Sequence, residues 1–282
     1  MGIEIQPLTA FIGAEISGVD LAAALEPSLL AQLREALLAH QVLVFRDQDL
    51  TPESHIAFAR HFGDIKLPPV ATPHGGQPEV NVIDQTDPLG EGSDNWHADN
   101  NYTATPPMGS LLRVLQLPKV GGDTAFASMY AAYDALSPAI RELCDGLTAV
   151  HDVTRSLTKA IARGHSAADL AKVQKQLPPV EHPVVIVHPE TGRRSLFVNI
   201  NSTTRILGMS EAESKMLLRF LFEHTKEPEF QVRVRWDTRT LVFIDNRCTQ
   251  HYAIADYRDR RVLHRVAVEG TRPQGIADVQ AA

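Results

Sequence analysis

What most restricts the fold open to this 282-residue chain is the brevity of its apolar segments and the frequency with which turns interrupt them. Ile3-Glu4-Ile5, 11–16, Val42-Leu43-Val44-Phe45, Val80-Asn81-Val82-Ile83, 111–115 and 121–126 each read as a strand of a few residues. Further strands are expected at 184–187 and 196–198, with a Pro-Glu-Thr-Gly turn between them, and at 230–236, 240–244 and 262–268. Helices are fewer. One opens at Glu26-Pro27-Ser28 and carries the stripe Leu29, Leu30, Leu33, Leu37 and Leu38 to about His40. Another starts on Thr51-Pro52 and runs to about Phe62, where Gly63 ends it. Others are expected around 129–146, the second of these opened by Ser137-Pro138, and over 210–225 behind Ser210. Irregular loops are expected at 66–78 and 87–94, and 155–180 reads as a helical or mobile excursion. No βαβ alternation and no glycine-rich phosphate loop is present. The expected fold class is therefore mainly β with a helical jacket, a sandwich or jelly roll. Without repeats or a linker, residues 1–282 are expected to form a single domain.

Charge and composition remove several function classes. A formal charge of −7 with no Lys/Arg run argues against nucleic acid as a partner. No apolar stretch approaches the ~20 residues of a membrane span, and the start shows no signal-peptide pattern. Cys144 and Cys248 lie far apart outside any CxxC pattern, so a reducing compartment, the cytoplasm, is expected.

The chemistry is concentrated in Asn95-Trp96-His97-Ala98-Asp99-Asn100-Asn101-Tyr102. His97 and Asp99 sit two apart, which places both on one face of an extended strand. Such a pair is common by chance and gains meaning only from a third ligand far along the chain. His251, closing Ile244-Asp245-Asn246-Arg247-Cys248-Thr249-Gln250-His251, is the candidate. Two histidines and one carboxylate on one side of an ion make the facial triad of non-haem Fe(II) oxygenases, the other side staying open to cosubstrate and oxygen. No thiolate joins the cluster, which disfavours a closed structural zinc site. Of the other histidines, His40, His55, His61, His74 and His224 read as surface or packing residues, and His182 and His188 as turn or strand-end residues. On the last strand Arg261, Leu263 and Arg265 share one face. Spacing leaves two readings open for these arginines. One holds a cosubstrate carboxylate and the other an anionic substrate, or both form a surface strand paired with some of the 34 acidic residues.

Taken together, these blocks resemble the taurine dioxygenase / 2,4-dichlorophenoxyacetate dioxygenase family of Fe(II)- and 2-oxoglutarate-dependent oxygenases. The resemblance covers nearly the whole chain. It rests on residues 13–21, Asn95-Trp96-His97-Ala98-Asp99, Gly121-Gly122-Asp123-Thr124, the stretch from His182-Pro183 to Val198-Asn199, and Asp245-Asn246-Arg247 before His251. It implies a double-stranded β-helix (jelly roll, cupin-like) with His97, Asp99 and His251 as catalytic iron ligands. It further implies Thr124 and Arg261 as the 2-oxoglutarate site, with Arg265, Asn95 and Asn100 on the substrate side. Parity with Arg265 favours Arg261 over its neighbour Arg260. Fe(II), 2-oxoglutarate and O2 would be consumed or bound, succinate and carbon dioxide released, and a substrate C–H hydroxylated. Relatives of this kind are commonly dimers or tetramers, so a homo-oligomer is expected.

The prime substrate is expected to be a small organic anion. In Lys66-Leu67-Pro68-Pro69-Val70-Ala71, Pro68 and Ala71 align where the taurine enzymes have His and Tyr contacts to the sulfonate. Asn199-Ile200-Asn201-Ser202-Thr203 carries an extra residue and lacks their aromatic. Another sulfonate, a sulfate ester or an aryloxyalkanoate is the expectation. A larger metabolite of a biosynthetic pathway, or a non-catalytic jelly-roll binding protein, are the alternatives. Asn100 and Asn101 are either substrate contacts or turn formers, while Ile244 and Cys248 read as core packing.

Overall fold

The computed structural model describes residues 2–69, 73–74, 77–86, 94–164 and 166–280. Its largest element is a nine-stranded sheet ordered Glu4–Pro7, Ala14–Ser17, Val42–Phe45, Leu241–Asp245, Gly109–Gln116, Arg261–Val268, Gln77–Gln85 and Pro73–His74, with Ile65–Lys66 attached to Arg261–Val268. Among the described strands only Ala14–Ser17 beside Val42–Phe45 runs parallel. A three-stranded sheet of Gln231–Val234, Thr124–Ser128 and Thr249–Ala253 faces it. Thr148–His151, with Val180–Pro183 and Thr203–Ile206 on either side, and the pair Val185–Val187 and Arg194–Leu196 complete the strands.

Val42–Phe45 and the first four residues of Leu241–Asp245, adjacent in the large sheet, are apolar at every position because both faces are covered. Val42, Val44, Val242 and Ile244 pack with Phe126, Val232, Val234 and Trp236 of the small-sheet side. Leu43, Phe45, Leu241 and Phe243 turn the other way, onto Leu33 and Leu37 of helix Pro27–His40 and Phe58 of helix Pro52–Arg60. Phe62 closes that layer edge-on to Phe243, with ring centroids 4.6 Å apart. A third apolar cluster lies under helices Met129–Asp134, Pro138–Asp145 and Glu211–His224. The starts of the expected helices behave as read: Thr51 with Ser54, and Ser210 with Glu213, form reciprocal caps.

Several expectations change. The strand expected over 11–16 shrinks to Ala14–Ser17 because Gly13 sits at φ 88°, against Val232. The strand expected over 121–126 becomes Thr124–Ser128, since Gly121 and Gly122, at φ 83° and 78°, turn the chain first. Residues 155–180 form two helices, Thr154–Ala162 and Leu170–Gln176, apart from position 165, which lies outside the described residues. The loop expected at 66–78 gives way to strand pairing at Pro73–His74 and from Gln77 onward, while Val70 and Ala71 lie outside the described residues, as do 87–93 of the second loop. Thr148–His151, Val180–Pro183, Thr203–Ile206 and Thr249–Ala253 were not foreseen as strands. Among the described residues no helix is long and apolar enough to cross a membrane.

Candidate active site

The two histidines meet through the backbone. His97 is not part of a strand but a single antiparallel bridge partner of His251, with hydrogen bonds of 3.0 Å from His97 N to His251 O and 2.8 Å in return. His251 lies mid-strand in Thr249–Ala253, opposite Phe126 of Thr124–Ser128. The rings end 4.1 Å apart by centroid. Asp99 corrects the expectation of an extended His-x-Asp strand, because it already sits in a turn that Asn100 continues at φ 48°. The Asn246 side chain takes the place of a strand partner. Its Oδ1 accepts from Asp99 N at 2.6 Å, and its Nδ2 donates to Asp99 O at 2.9 Å and to Pro107 O at 3.1 Å. The ligand-type atoms of His97, Asp99 and His251 all fall within 4.8 Å of one another.

The donor set suits a divalent ion. His97 Nδ1 lies 2.8 Å from the Asn95 carbonyl, which can only accept, so Nδ1 holds the proton and Nε2 keeps its lone pair. Burial keeps both imidazoles neutral. It lowers His97, partly against the pull of Asp99, and with the neighbouring His97 it pushes His251 down to about 3. Burial alone would raise Asp99, but Arg265 and the two histidines outweigh it and hold the carboxyl well below the usual range. Asp99 Oδ2 accepts from Ser110 Oγ at 2.6 Å, Arg265 Nη1 contacts Oδ1, and His251 Nε2 stands 3.9 Å from Oδ1. That last separation is too long for a hydrogen bond. His251 Nδ1 is buried without a hydrogen-bond partner among the described residues.

A cavity of about 210 Å³ opens beside these groups, lined by His97, His251, Thr124, Arg261 and Arg265 among apolar walls of Ile83, Leu112 and Leu263. Arg261 and Arg265 both face it, opposite Gln85 and Asn81 of the adjoining strand. Arg260 points outward, where Asp84 accepts from it at 2.9 and 2.6 Å. Arg261 is 3% exposed. Its Nη2 donates to Thr124 Oγ1 at 3.2 Å, Trp236 Nε1 donates to the same oxygen at 3.0 Å, and the Arg261 Nε has no partner among the described residues. Burial lowers its guanidinium pKa, opposed mainly by Tyr257. Gly122 makes room for it, since a Cβ there would stand 3.2 Å from Arg261 Cδ and 2.9 Å from Pro118 Cγ.

On the other side of Arg265 lies a polar cavity of about 200 Å³, bounded by Asn100, Asn101, Tyr102, Ser156, Asn201 and Ser202 as well as His97 and Asp99. Asn100 Oδ1 accepts from the Tyr102 hydroxyl at 3.0 Å. Asn101 Nδ2 lies 3.1 Å from His151 Nδ1, and its Oδ1 accepts from Ser202 at 2.7 Å. Asn95 contributes differently from the expectation. Its carbonyl orients His97, its amide turns to Asp94 at 3.3 Å, and its side chain is not among those lining either cavity. Neither Ser110 nor Asn246 was singled out for a role from sequence, although a serine inside the apolar run of Gly109–Gln116 was a visible anomaly.

A second group, His188, Asp245 and Cys248, has metal-like spacing. His188 Nδ1 accepts from the backbone N–H of Glu190 and Thr191, so Nε2 carries the proton and donates to Asp245 at 3.0 Å. Asp245 is also forked by Arg247 at 2.9 and 2.7 Å. With both ring nitrogens used and the carboxylate paired, this is a buried ion-pair network.

Comparison with known proteins finds relatives along nearly the whole chain. A family profile described as "Taurine catabolism dioxygenase TauD, TfdA family" matches residues 4–267. An alkylsulfatase of Acinetobacter baylyi is 36% identical, over 95% of this chain and 85% of its own. An alpha-ketoglutarate-dependent sulfate ester dioxygenase of Pseudomonas putida is also 36% identical, over 97% and 92%. A crystal structure of a taurine dioxygenase from Burkholderia xenovorans superposes with a TM-score of 0.85 at 38% identity, covering 99% of this chain and 94% of that one. The chain is thus a member of the taurine catabolism dioxygenase TauD, TfdA family.

Proposed function

We propose that this chain is an Fe(II)- and 2-oxoglutarate-dependent dioxygenase that hydroxylates a small organic anion, a sulfonate, sulfate ester or aryloxyalkanoate. The observation that carries the reading is one cavity with His97 and His251 at one end, beside Asp99, and the buried Arg261–Thr124 pair in its wall. When bound, iron and 2-oxoglutarate supply the oxidising chemistry, with O2 consumed, succinate and carbon dioxide released and a substrate C–H hydroxylated. The chain's own residues bind, orient and exclude water. His97, Asp99 and His251 hold the metal from one side, neutral imidazoles and an ionised carboxylate being the protonation states that ligation needs. Arg261 and the Thr124 hydroxyl receive the distal carboxylate of 2-oxoglutarate, a charge-assisted contact that supplies the anion the buried guanidinium lacks among the described residues. Ile83, Leu112 and Leu263 keep that contact dry. Arg265, between the two cavities, meets the anionic group of the substrate, and Asn100 borders the substrate in the polar cavity. Cavities of about 200 Å³ support a small substrate over a large metabolite.

The facing sheets support a jelly roll of the double-stranded β-helix kind, formed by residues 1–282 as one domain. A cytoplasmic homo-oligomer, dimer or tetramer, with no nucleic-acid or membrane partner completes the reading. The test is succinate release from 2-oxoglutarate with Fe(II) and O2 over a panel of sulfonates, alkyl sulfates and aryloxyalkanoates. At least one anion should stimulate release several-fold. Absence of any turnover, together with unchanged metal and 2-oxoglutarate binding in His97→Ala, overturns the proposal.

A further inference from the structure

The three candidate ligands are anchored to different parts of the fold. His251 belongs to the small sheet, and His97 is bonded to His251 by its backbone. Asp99 is anchored instead to the large sheet. Ser110, in the interior of that sheet and paired with both Ile244 and Ala267, donates to Asp99 Oδ2 at 2.6 Å. Asn246 follows the last residue of Leu241–Asp245, its backbone N donates to Met108 O at 2.9 Å, and its side chain closes on Asp99 N and O. Both anchors are buried, Ser110 at 0% and Asn246 at 1% exposure.

We propose that Ser110 and Asn246 are positioning residues that fix which carboxylate oxygen Asp99 presents to the metal. The inference rests on the metal site proposed above. Asn246 saturates both backbone polar groups of Asp99, so the residue cannot swing about its own main chain. Ser110 then occupies Oδ2. Oδ1, which Arg265 contacts from the cavity side, is the oxygen facing His251, and the carboxylate is held in a one-oxygen attitude toward the ion. Without the serine, Oδ2 loses its donor, Arg265 can follow either oxygen on its flexible stem, and the carboxylate can rotate about its Cβ–Cγ bond and offer either oxygen or both. Groups that orient a ligating side chain this way commonly govern metal affinity by 10–100-fold.

The experiment titrates the full-length, chelator-treated protein with Mn(II) alone and reads the dissociation constant, with the denaturant midpoint measured separately in chelator. Ser110→Ala should weaken Mn(II) binding about 10–100-fold. Asn246→Asp, which sets a carboxylate oxygen against the carbonyls of Asp99 and Pro107, should do the same if it folds; Ser110→Ala decides the matter if it does not. Ser128→Ala is the matched control. Ser128 is also fully buried, and its hydroxyl donates at 2.6 Å to Gln41, away from Asp99. It should lower the denaturant midpoint about as much as Ser110→Ala, yet bind Mn(II) within twofold of the unaltered protein. Equal Mn(II) affinity in Ser110→Ala and the unaltered protein overturns the proposal. So does an equal loss in Ser128→Ala, which would mean general loosening. If the unaltered protein itself binds no Mn(II), the metal-site reading fails, and this inference with it.

Discussion

Replacing Arg261 by methionine should make the protein more stable in the absence of 2-oxoglutarate while severely weakening its affinity for that cosubstrate. Arg261 is almost fully buried, and none of the described residues offers it a carboxylate in hydrogen-bond range; Thr124 Oγ1 at 3.2 Å and Tyr257 are its polar neighbours. Its guanidinium also lies 5.8 Å from the Trp236 ring and 6.0 Å from the Tyr257 ring, at the outer limit of cation–π range, so that each is taken at the low end, about 0.5–1 kcal/mol, rather than at the value for a close desolvated pair. Against these stands a desolvation penalty of several kcal/mol for an incompletely paired buried ion. An unbranched apolar side chain fits the same space beside Leu263 and Gly122. The net expected gain is about 2 kcal/mol, a rise in melting temperature of roughly 4–8 °C for a chain of this size. Loss of a buried charge contact should cost about 2–5 kcal/mol in 2-oxoglutarate binding, at least ~30-fold in affinity. Thermal unfolding of metal-free protein and a 2-oxoglutarate titration check the two halves separately. Destabilisation by more than about 1 kcal/mol, or 2-oxoglutarate affinity within threefold of the original, would refute the reasoning.

Arg265→Ala should weaken binding of the anionic substrate far more than binding of 2-oxoglutarate, read from the KM of each in succinate release; equal losses would mean the two arginines do not divide their ligands as proposed. Acid should destabilise the metal-free protein over a defined window. Burial pushes His55 and His151 down to about 3 and His182 to about 4, so they stay neutral when folded but take up protons when unfolded. Their contribution is intact above the ordinary value near 6.5 and is lost as pH falls from there toward 3–4. The slope approaches about 1.4 kcal/mol per pH unit for each histidine. Denaturant unfolding between pH 7 and 5 should show this decline, and a flat profile would be the contrary result.

The parts of the site that were legible in the sequence are those governed by local geometry. Parity alone set Arg261 and Arg265 on one face and sent Arg260 outward, where it pairs with Asp84. The ligand residues stood out because imidazole and carboxylate two apart are conspicuous, yet the backbone under them was misread. Asp99 lies in a turn, because Asn246, far along the chain, bonds both its N–H and its C=O. The strand Thr249–Ala253 escaped notice because Thr249, Gln250 and His251 give no apolar alternation, their burial coming from the sheet above and the helices behind. The polar cavity was the least legible. Asn100 and Asn101 were open between substrate contact and turn former, whereas Ser156, Asn201 and Ser202 come from two further stretches and each alone passes for a loop or packing residue.

The bridge between His97 and His251 has one more consequence, for folding fidelity. Side chains alternate along a strand, so a slip of one residue between Thr249–Ala253 and Thr124–Ser128 would carry His251 to the opposite face. The interior of Thr124–Ser128 offers Ala125 and Ala127 on one side and Phe126 on the other, and Phe126 is the only bulky side chain among them to resist such a slip. A misregistered chain could therefore bury much of its apolar surface and still be unable to bring the second imidazole, that of His251, to His97 and Asp99. On the proposed metal site, ion binding would act as proofreading: it would reward only the correctly threaded isomer, by about 2.7 kcal/mol at a metal concentration 100 times the dissociation constant.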